Sequence, residues 1–148
     1  MREIKFRVWD LTHRKPNMCK VLWFKFYDKK LNYMACEEDS VWLCESDSDG
    51  IGIFHSVPIS KVILMQSTGV KDDNGKEIYE GDILDFGTWD NDDIAERGVV
   101  EYNTMRGAYI ITYYSPYGGE GFDLLNNEES PIEVIGNIYE NPELLRKE

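Results

Sequence analysis

The chain has 148 residues, with 16 Lys+Arg against 28 Asp+Glu, so its formal net charge is −12. A hydrophobic share of 42% and an aromatic share of 13% are enough for a packed core, which excludes a disordered chain. The carboxylate excess also counts against whole-molecule attraction to a polyanion, and the length fits one domain or two small ones.

The amino-terminal residues 1–15 are charged and lack the apolar stretch of a secretory signal, and no run approaches a membrane span, so a cytoplasmic protein is expected. Cys19, Cys36 and Cys44 are odd in number and show no CxxC spacing, which reads as reduced, partly buried thiols. Zinc held by the three cysteines and His55 would lack the close pair spacing of a chelating knuckle.

Period-2 patterning dominates. Ile4, Phe6 and Val8 alternate with Lys5, Arg7 and Trp9, predicting a half-buried strand over 2–10. A second strand is expected over 18–27, then a polar turn at 28–32 into a strand over 33–36. Further strands are expected over 41–44, 51–54 and 59–66, with a domain boundary near 67–70 dividing an amino-terminal β-rich part, 1–68, from a second part, 69–148. Asp72-Asp73-Asn74-Gly75 is a turn sequence, because Asn-Gly tolerates the positive φ of a tight hairpin. A strand over 77–86 is interrupted at Gly81-Asp82, where a bulge or bend is expected. After an acidic loop over 87–98, strands resume over 98–102, 107–114 and 132–139. Asn141 as N-cap, Pro142 as first helical residue and Glu143 behind it predict a short terminal helix, with Arg146 and Lys147 near its negative end. No longer 3.6-residue stripe exists, so the fold class is mainly β, a small barrel or sandwich of short antiparallel strands.

Four stretches in order carry a resemblance: Arg2 to Asp10 (REIKFRVWD), Met65 to Asp72 (MQSTGVKD), Asn74 to Ile83 (NGKEIYEGDI) and Val134 to Leu145 (VIGNIYENPELL). Together the chain resembles the YopX family, small proteins of bacteriophages and prophages. The resemblance implies a two-part, largely β fold with an SH3-like carboxy-terminal barrel and self-association. It brings no catalytic residues and no ligand. The matched residues also suit structural work, the glycines in turns and the isoleucines in core faces, although the stretch around Ile78 is also considered as a ligand site.

The chemistries tested here find little support. Glu45-x-Asp47-x-Asp49-Gly50 imitates the start of a calcium loop, but Ser56 stands where a bidentate Glu is needed. His13 and His55 come with no activated nucleophile, and no phosphate-binding loop is present. A non-enzymatic protein without cofactor or metal is the expectation.

Charge is unevenly distributed. Residues 1–30 hold 9 Lys+Arg against 3 Asp+Glu, a net +6, which leaves −18 on the remainder. Three readings follow. The basic hairpin lies on an acidic neighbour, within the chain or in a second copy. Alternatively, Lys20, Trp23, Lys25, Tyr27 and Lys29 form a basic aromatic surface for nucleic acid. In the third, the acidic part, with Asp90, Asp92, Asp93 and Glu96, presents phosphate-like charge to a DNA-binding host protein. The leading expectation is a phage or prophage accessory protein that binds a protein partner and self-associates, with no membrane role. Nucleic-acid binding through the basic hairpin is the alternative.

Overall fold

A computed structural model of the chain describes residues 4–12, 17–25, 40–46, 52–85, 97–113, 121–123 and 131–145. The chain divides into two compact units, Lys5–Met65 and Gln66–Glu148, the latter joined by Met1–Ile4. The mainly β class holds: the described residues form antiparallel strands with two short 3-10 turns. Among them no helix is long and apolar enough to cross a membrane.

In the amino-terminal unit, β1 (Phe6–Asp10), β2 (Asn17–Lys25), β3 (Ser40–Ser46) and β4 (Gly52–Pro58) pair antiparallel in succession, and β5 (Val62–Lys71) flanks β1. Val8, Val41 and Val57 are 2% exposed or less, and Ile59 and Val62 pack against them. Of the apolar face predicted for a strand over 2–10, Val8 lies in this core, whereas Ile4 is 66% exposed and precedes the strand, which begins at Phe6. Asp10, also buried, accepts hydrogen bonds on Oδ1 from the Thr12 amide at 2.8 Å and the Thr12 hydroxyl at 2.7 Å. The expected strand over 59–66 begins instead with a 3-10 turn, Ile59–Lys61, and the Leu11 amide donates to the Lys61 carbonyl at 3.1 Å.

The chain passes from one unit to the other inside β5, between Met65 and Gln66. Residues 67–70, where a boundary is expected, continue β5, and their hydroxyls are satisfied in the interior. Thr68 Oγ1 donates to the Ile78 carbonyl at 3.0 Å, and Ser67 Oγ accepts the Gly69 amide at 3.2 Å. Buried polar groups with partners cost little.

In the carboxy-terminal unit, β6 (Glu77–Tyr79) pairs with the end of β5 across the predicted turn, where Gly75 has φ 81°. Then β7 (Asp82–Asp85), β8 (Arg97–Asn103), β9 (Ala108–Tyr113), β10 (Gly121–Asp123) and β11 (Glu133–Asn137) form a sheet in the order β10-β9-β8-β7-β11. Ile78, Leu84, Val100, Ile111, Ile132 and Val134 make its core, with Val70, Tyr109 and Tyr113 against them. Burial of each such aliphatic chain stabilises by about 1.5–3 kcal/mol. This strand order by itself does not establish the SH3-like barrel that the resemblance implies. The three-residue β10 has no counterpart among the expected strands, because three residues are too few to show a period.

The expected terminal helix is a single 3-10 turn, Pro142–Leu145, which contacts β8. The Leu144 amide donates to the Asn141 carbonyl at 3.0 Å. Arg97 Nη1 donates to the Leu144 carbonyl at 3.2 Å, supplying a cation at the end of the turn. Arg146 and Lys147 lie outside the described residues.

Candidate functional site

The basic aromatic set of the first hairpin is partly placed. Lys20, Trp23 and Lys25 are on β2; Tyr27 and Lys29 lie outside the described residues. Simple alternation would put Lys20 on one face of the strand and Trp23 and Lys25 on the other. The β2–β3 register does otherwise: Lys20 opposes Cys44 and Val21 opposes Leu43, and after a shift Trp23 opposes Trp42, Phe24 opposes Val41 and Lys25 opposes Ser40. One extra residue, Leu22, is thus inserted in β2, the two-against-one count of a β-bulge. Since Cys44, Trp42 and Ser40 are alternate residues of β3, the bulge brings Lys20, Trp23 and Lys25 onto one face.

That face is identified by its neighbours. Phe24, Val41 and Val57 are aligned across three strands, and Val41 and Val57 belong to the core. The alternate positions therefore form the face opposite that core. On β1 they are Arg7, paired with Lys20, and Trp9, paired with Met18. On β4 they are Phe54, paired with Cys44, and Ser56, paired with Trp42. On that face Ser56 is exposed beside a Val57 that is only 2% exposed, Arg7 and Trp9 are half-buried, and Ser40 is buried. Arg7 also meets Met65, its Nη2 lying 3.9 Å from the sulfur.

The register thus collects Arg7, Lys20 and Lys25 with Trp9, Trp23 and Trp42 on one face, and none of the face positions on β1–β4 is Asp or Glu. The carboxylates of these strands, Asp10 and Glu45, occupy core-face positions, paired with Asn17 and Ile53. Trp42 was missing from the sequence-based set, although the alternation of Arg7 and Trp9 in the first strand was a visible signal for the β1 contribution. Cys19 aligns with Val8 and Cys44 with Lys20, so these two cysteines occupy opposite faces; Cys36 lies outside the described residues.

The acidic candidates Asp90, Asp92, Asp93 and Glu96 lie outside the described residues, as do His13 and the calcium-like residues Asp47, Asp49 and Gly50. His55 is on β4, opposite Leu43. Among the described residues, no three His, Cys, Asp or Glu side chains are grouped to hold a metal ion.

The stretch around Ile78, considered above as a ligand site, is occupied with architecture. Ile78 and Ile83 are fully buried. The Tyr79 hydroxyl donates to Glu77 Oε2 at 2.9 Å, and its amide to Asp82 Oδ2 at 2.8 Å. Glu80 Oε2 accepts the Gln66 amide at 2.9 Å. Gly81 turns the chain at φ 77°, with the ring of Tyr139 3.3 Å from where a Cβ would stand. Burial raises the Tyr139 phenol above its ordinary pKa, and the Glu80 charge adds to this, so the group stays protonated at neutral pH.

The Asp72-Asp73 turn grips β11. Asp72 Oδ1 accepts the amides of Asn74 at 3.0 Å and Lys76 at 2.8 Å, and Oδ2 accepts that of Val134 at 3.1 Å. Asp73 Oδ2 accepts the Ile132 amide at 2.7 Å, and the Asp73 amide donates back to the Ile132 carbonyl at 3.1 Å. Burial pushes the Asp72 pKa up, but the Val134, Lys76 and Asn74 amides and the Lys76 charge outweigh it and hold it below the ordinary value.

These motif residues, in this order, run nearly the length of the chain, and the family model described as "YopX protein" matches residues 5–146. The chain belongs to the YopX family. Solved structures agree. The crystal structure of protein EF1440 from Enterococcus faecalis is similar over 99% of this chain and 100% of its own, at 26% identity and TM-score 0.58. That of protein yopX from Bacillus subtilis is similar in fold over 100% of this chain and 99% of its own, at 22% identity and TM-score 0.57. No curated protein matches significantly. Several of the YopX-family motif residues, Asp72, Ile78, Gly81 and Asp82 among them, serve turns, core positions and buried hydrogen bonds.

Proposed function

We propose that the chain is a non-enzymatic phage or prophage accessory protein whose carboxy-terminal unit engages a protein partner of host or phage in the cytoplasm. The observation carrying this reading is the charge of the two units. Lys5–Met65 has 9 Lys+Arg against 8 Asp+Glu, a net +1, whereas the other unit has 7 against 20, a net −13. A unit so acidic repels polyanions and attracts basic protein surfaces over about 8–10 Å at physiological salt.

In its sharper form, the acidic unit occupies the nucleic-acid site of a DNA-binding protein. Self-association belongs to the same proposal, the basic face of one copy meeting the acidic unit of another.

Affinity capture from lysogenic cells, with a nuclease-treated control and mass spectrometry, tests the reading. A protein retained after nuclease treatment and released by salt is the expected result. Loss of every captured protein on nuclease treatment would overturn it. Failure of the chain to compete with duplex DNA for the captured protein would remove the sharper form, and light scattering that gave a monomer at all concentrations would remove self-association.

A further inference from the structure

We infer that the turn from Asp72 to Lys76 guards the outer edge of β11, and that what it excludes is a second copy of this chain adding strand to strand through β11. The inference goes beyond the protein-partner reading, concerns a different surface, and stands or falls separately from it.

β11 ends its sheet, so among the described residues one of its edges is paired with β7 and the other with no strand. An edge of this kind offers N–H and C=O groups as a template for another chain. Here the turn takes those groups one by one at Ile132, just before β11, and at Val134 within it. The Ile132 amide donates to Asp73 Oδ2 at 2.7 Å, and its carbonyl accepts the Asp73 amide at 3.1 Å. The Val134 amide donates to Asp72 Oδ2 at 3.1 Å, and its carbonyl accepts from Lys76 Nζ at 3.4 Å. Three of these four partners are charged side chains, standing where a neighbouring strand would have supplied backbone. The guard is thin: Asp73 to Lys76 are exposed, whereas the Ile132 and Val134 side chains belong to the core.

Register and charge select the second copy as the excluded partner. With the turn withdrawn, two such edges related by a twofold axis put Ile132 opposite Val134, each pair exchanging both of its backbone bonds. Glu133, exposed between them, then meets its own counterpart, and like charges directly opposed are destabilising. Asp72, Asp73 and Glu133 against Lys76 leave the approach to the edge net negative. A cationic strand from another protein would be attracted by that charge; a copy of this edge is repelled by it.

The test uses the full chain at about 0.5 M sodium chloride, where charge-driven contact between the basic face and the acidic unit is screened beyond about 4 Å. Asp72→Ala/Asp73→Ala should tighten self-association by about tenfold or more over the parent in sedimentation equilibrium. Amide exchange followed by NMR identifies the edge. The Ile132 and Val134 amides should exchange slowly in the parent at any concentration, rapidly in the dilute variant, and slowly again in the concentrated one. Ile111→Ala, a core truncation in β9 that leaves the turn in place, controls for lost stability and should associate no more than the parent. If the double variant fails to fold by circular dichroism, Asp73→Ala alone keeps the test, because it frees the Ile132 amide and spares the bonds that Asp72 makes within the turn. Association unchanged from the parent in the variant that folds, equal association by Ile111→Ala, or a rise in mass without renewed protection of the freed amides would overturn the inference.

Discussion

On β1–β4 of the amino-terminal unit, cations and carboxylates occupy opposite sheet faces, whereas in the carboxy-terminal unit the buried carboxylates among the described residues are bound by backbone amides. Val8, Val41 and Val57 define the core side of the first sheet, and the register puts Arg7, Lys20 and Lys25 on the other. Asp72 and Asp82 are 6% and 1% exposed and hold turns and strand ends together. The difference teaches that a single net charge describes neither unit. In one, charge is divided between sheet faces; in the other, part of it, at Asp72 and Asp82, is architecture.

The comparison can be broken most severely at the carboxy-terminal core. Ile111→Ala removes a fully buried side chain and should destabilise that unit by about 2–5 kcal/mol. Urea denaturation followed by amide exchange should place the loss in residues 66–148 and leave the protection of β1–β3 near its original level. Equal loss in both units would mean that they do not unfold independently.

Asp72→Ala comes next. It strands the amides of Asn74, Lys76 and Val134 and should cost about 2–3 kcal/mol in thermal or urea unfolding. The same carboxylate gives a pH dependence. Because its folded pKa lies below the ordinary 3.8, the folded state binds its proton less readily than the unfolded chain. The stabilisation is therefore complete above the unfolded value and is lost as pH falls through the folded one. Melting temperature followed from pH 6 downward should drop less steeply for Asp72→Asn than for the parent, and parallel curves would show that Asp72 contributes nothing to acid sensitivity.

A smaller effect is expected at the bend between β6 and β7. Gly81→Ala must adopt φ 77° and crowds Tyr139, costing about 1–2 kcal/mol. Gly75→Ala has the same φ problem at 81° but open space around it, so it should cost less. A denaturation series in which Gly75→Ala was the worse variant would contradict this ordering. The smallest effect belongs to Met105→Ser at the β8–β9 turn. Met105 is 96% exposed, and the substitution should move stability by no more than about 0.5 kcal/mol.

Much of the fold was legible in the sequence because its signals are local. The alternation around Val8 is a consequence of strand geometry, and Asn74-Gly75 reports the positive φ that a tight turn needs. The break at Gly81-Asp82 likewise appears between β6 and β7. Ser67 and Thr68, beside the expected boundary, continue β5, and the partners of their hydroxyls are supplied by the fold. The basic aromatic set was legible as a list and not as a surface: counting by twos from Lys20 gives the wrong partners beyond Leu22.

The sequence alone determined the mainly β class, the turn between β5 and β6, the YopX-family membership and the −12 charge, since each rests on residue type and short-range order. Only the tertiary structure decided which charges share a face. Sheet register depends on a partner strand distant in the chain, and one inserted residue reverses every position after it. That is why Trp42 joins Lys20, Trp23 and Lys25 only when β2 is laid against β3, and why, in a chain of net charge −12, the positions of β1–β4 opposite the core hold cations and no carboxylate.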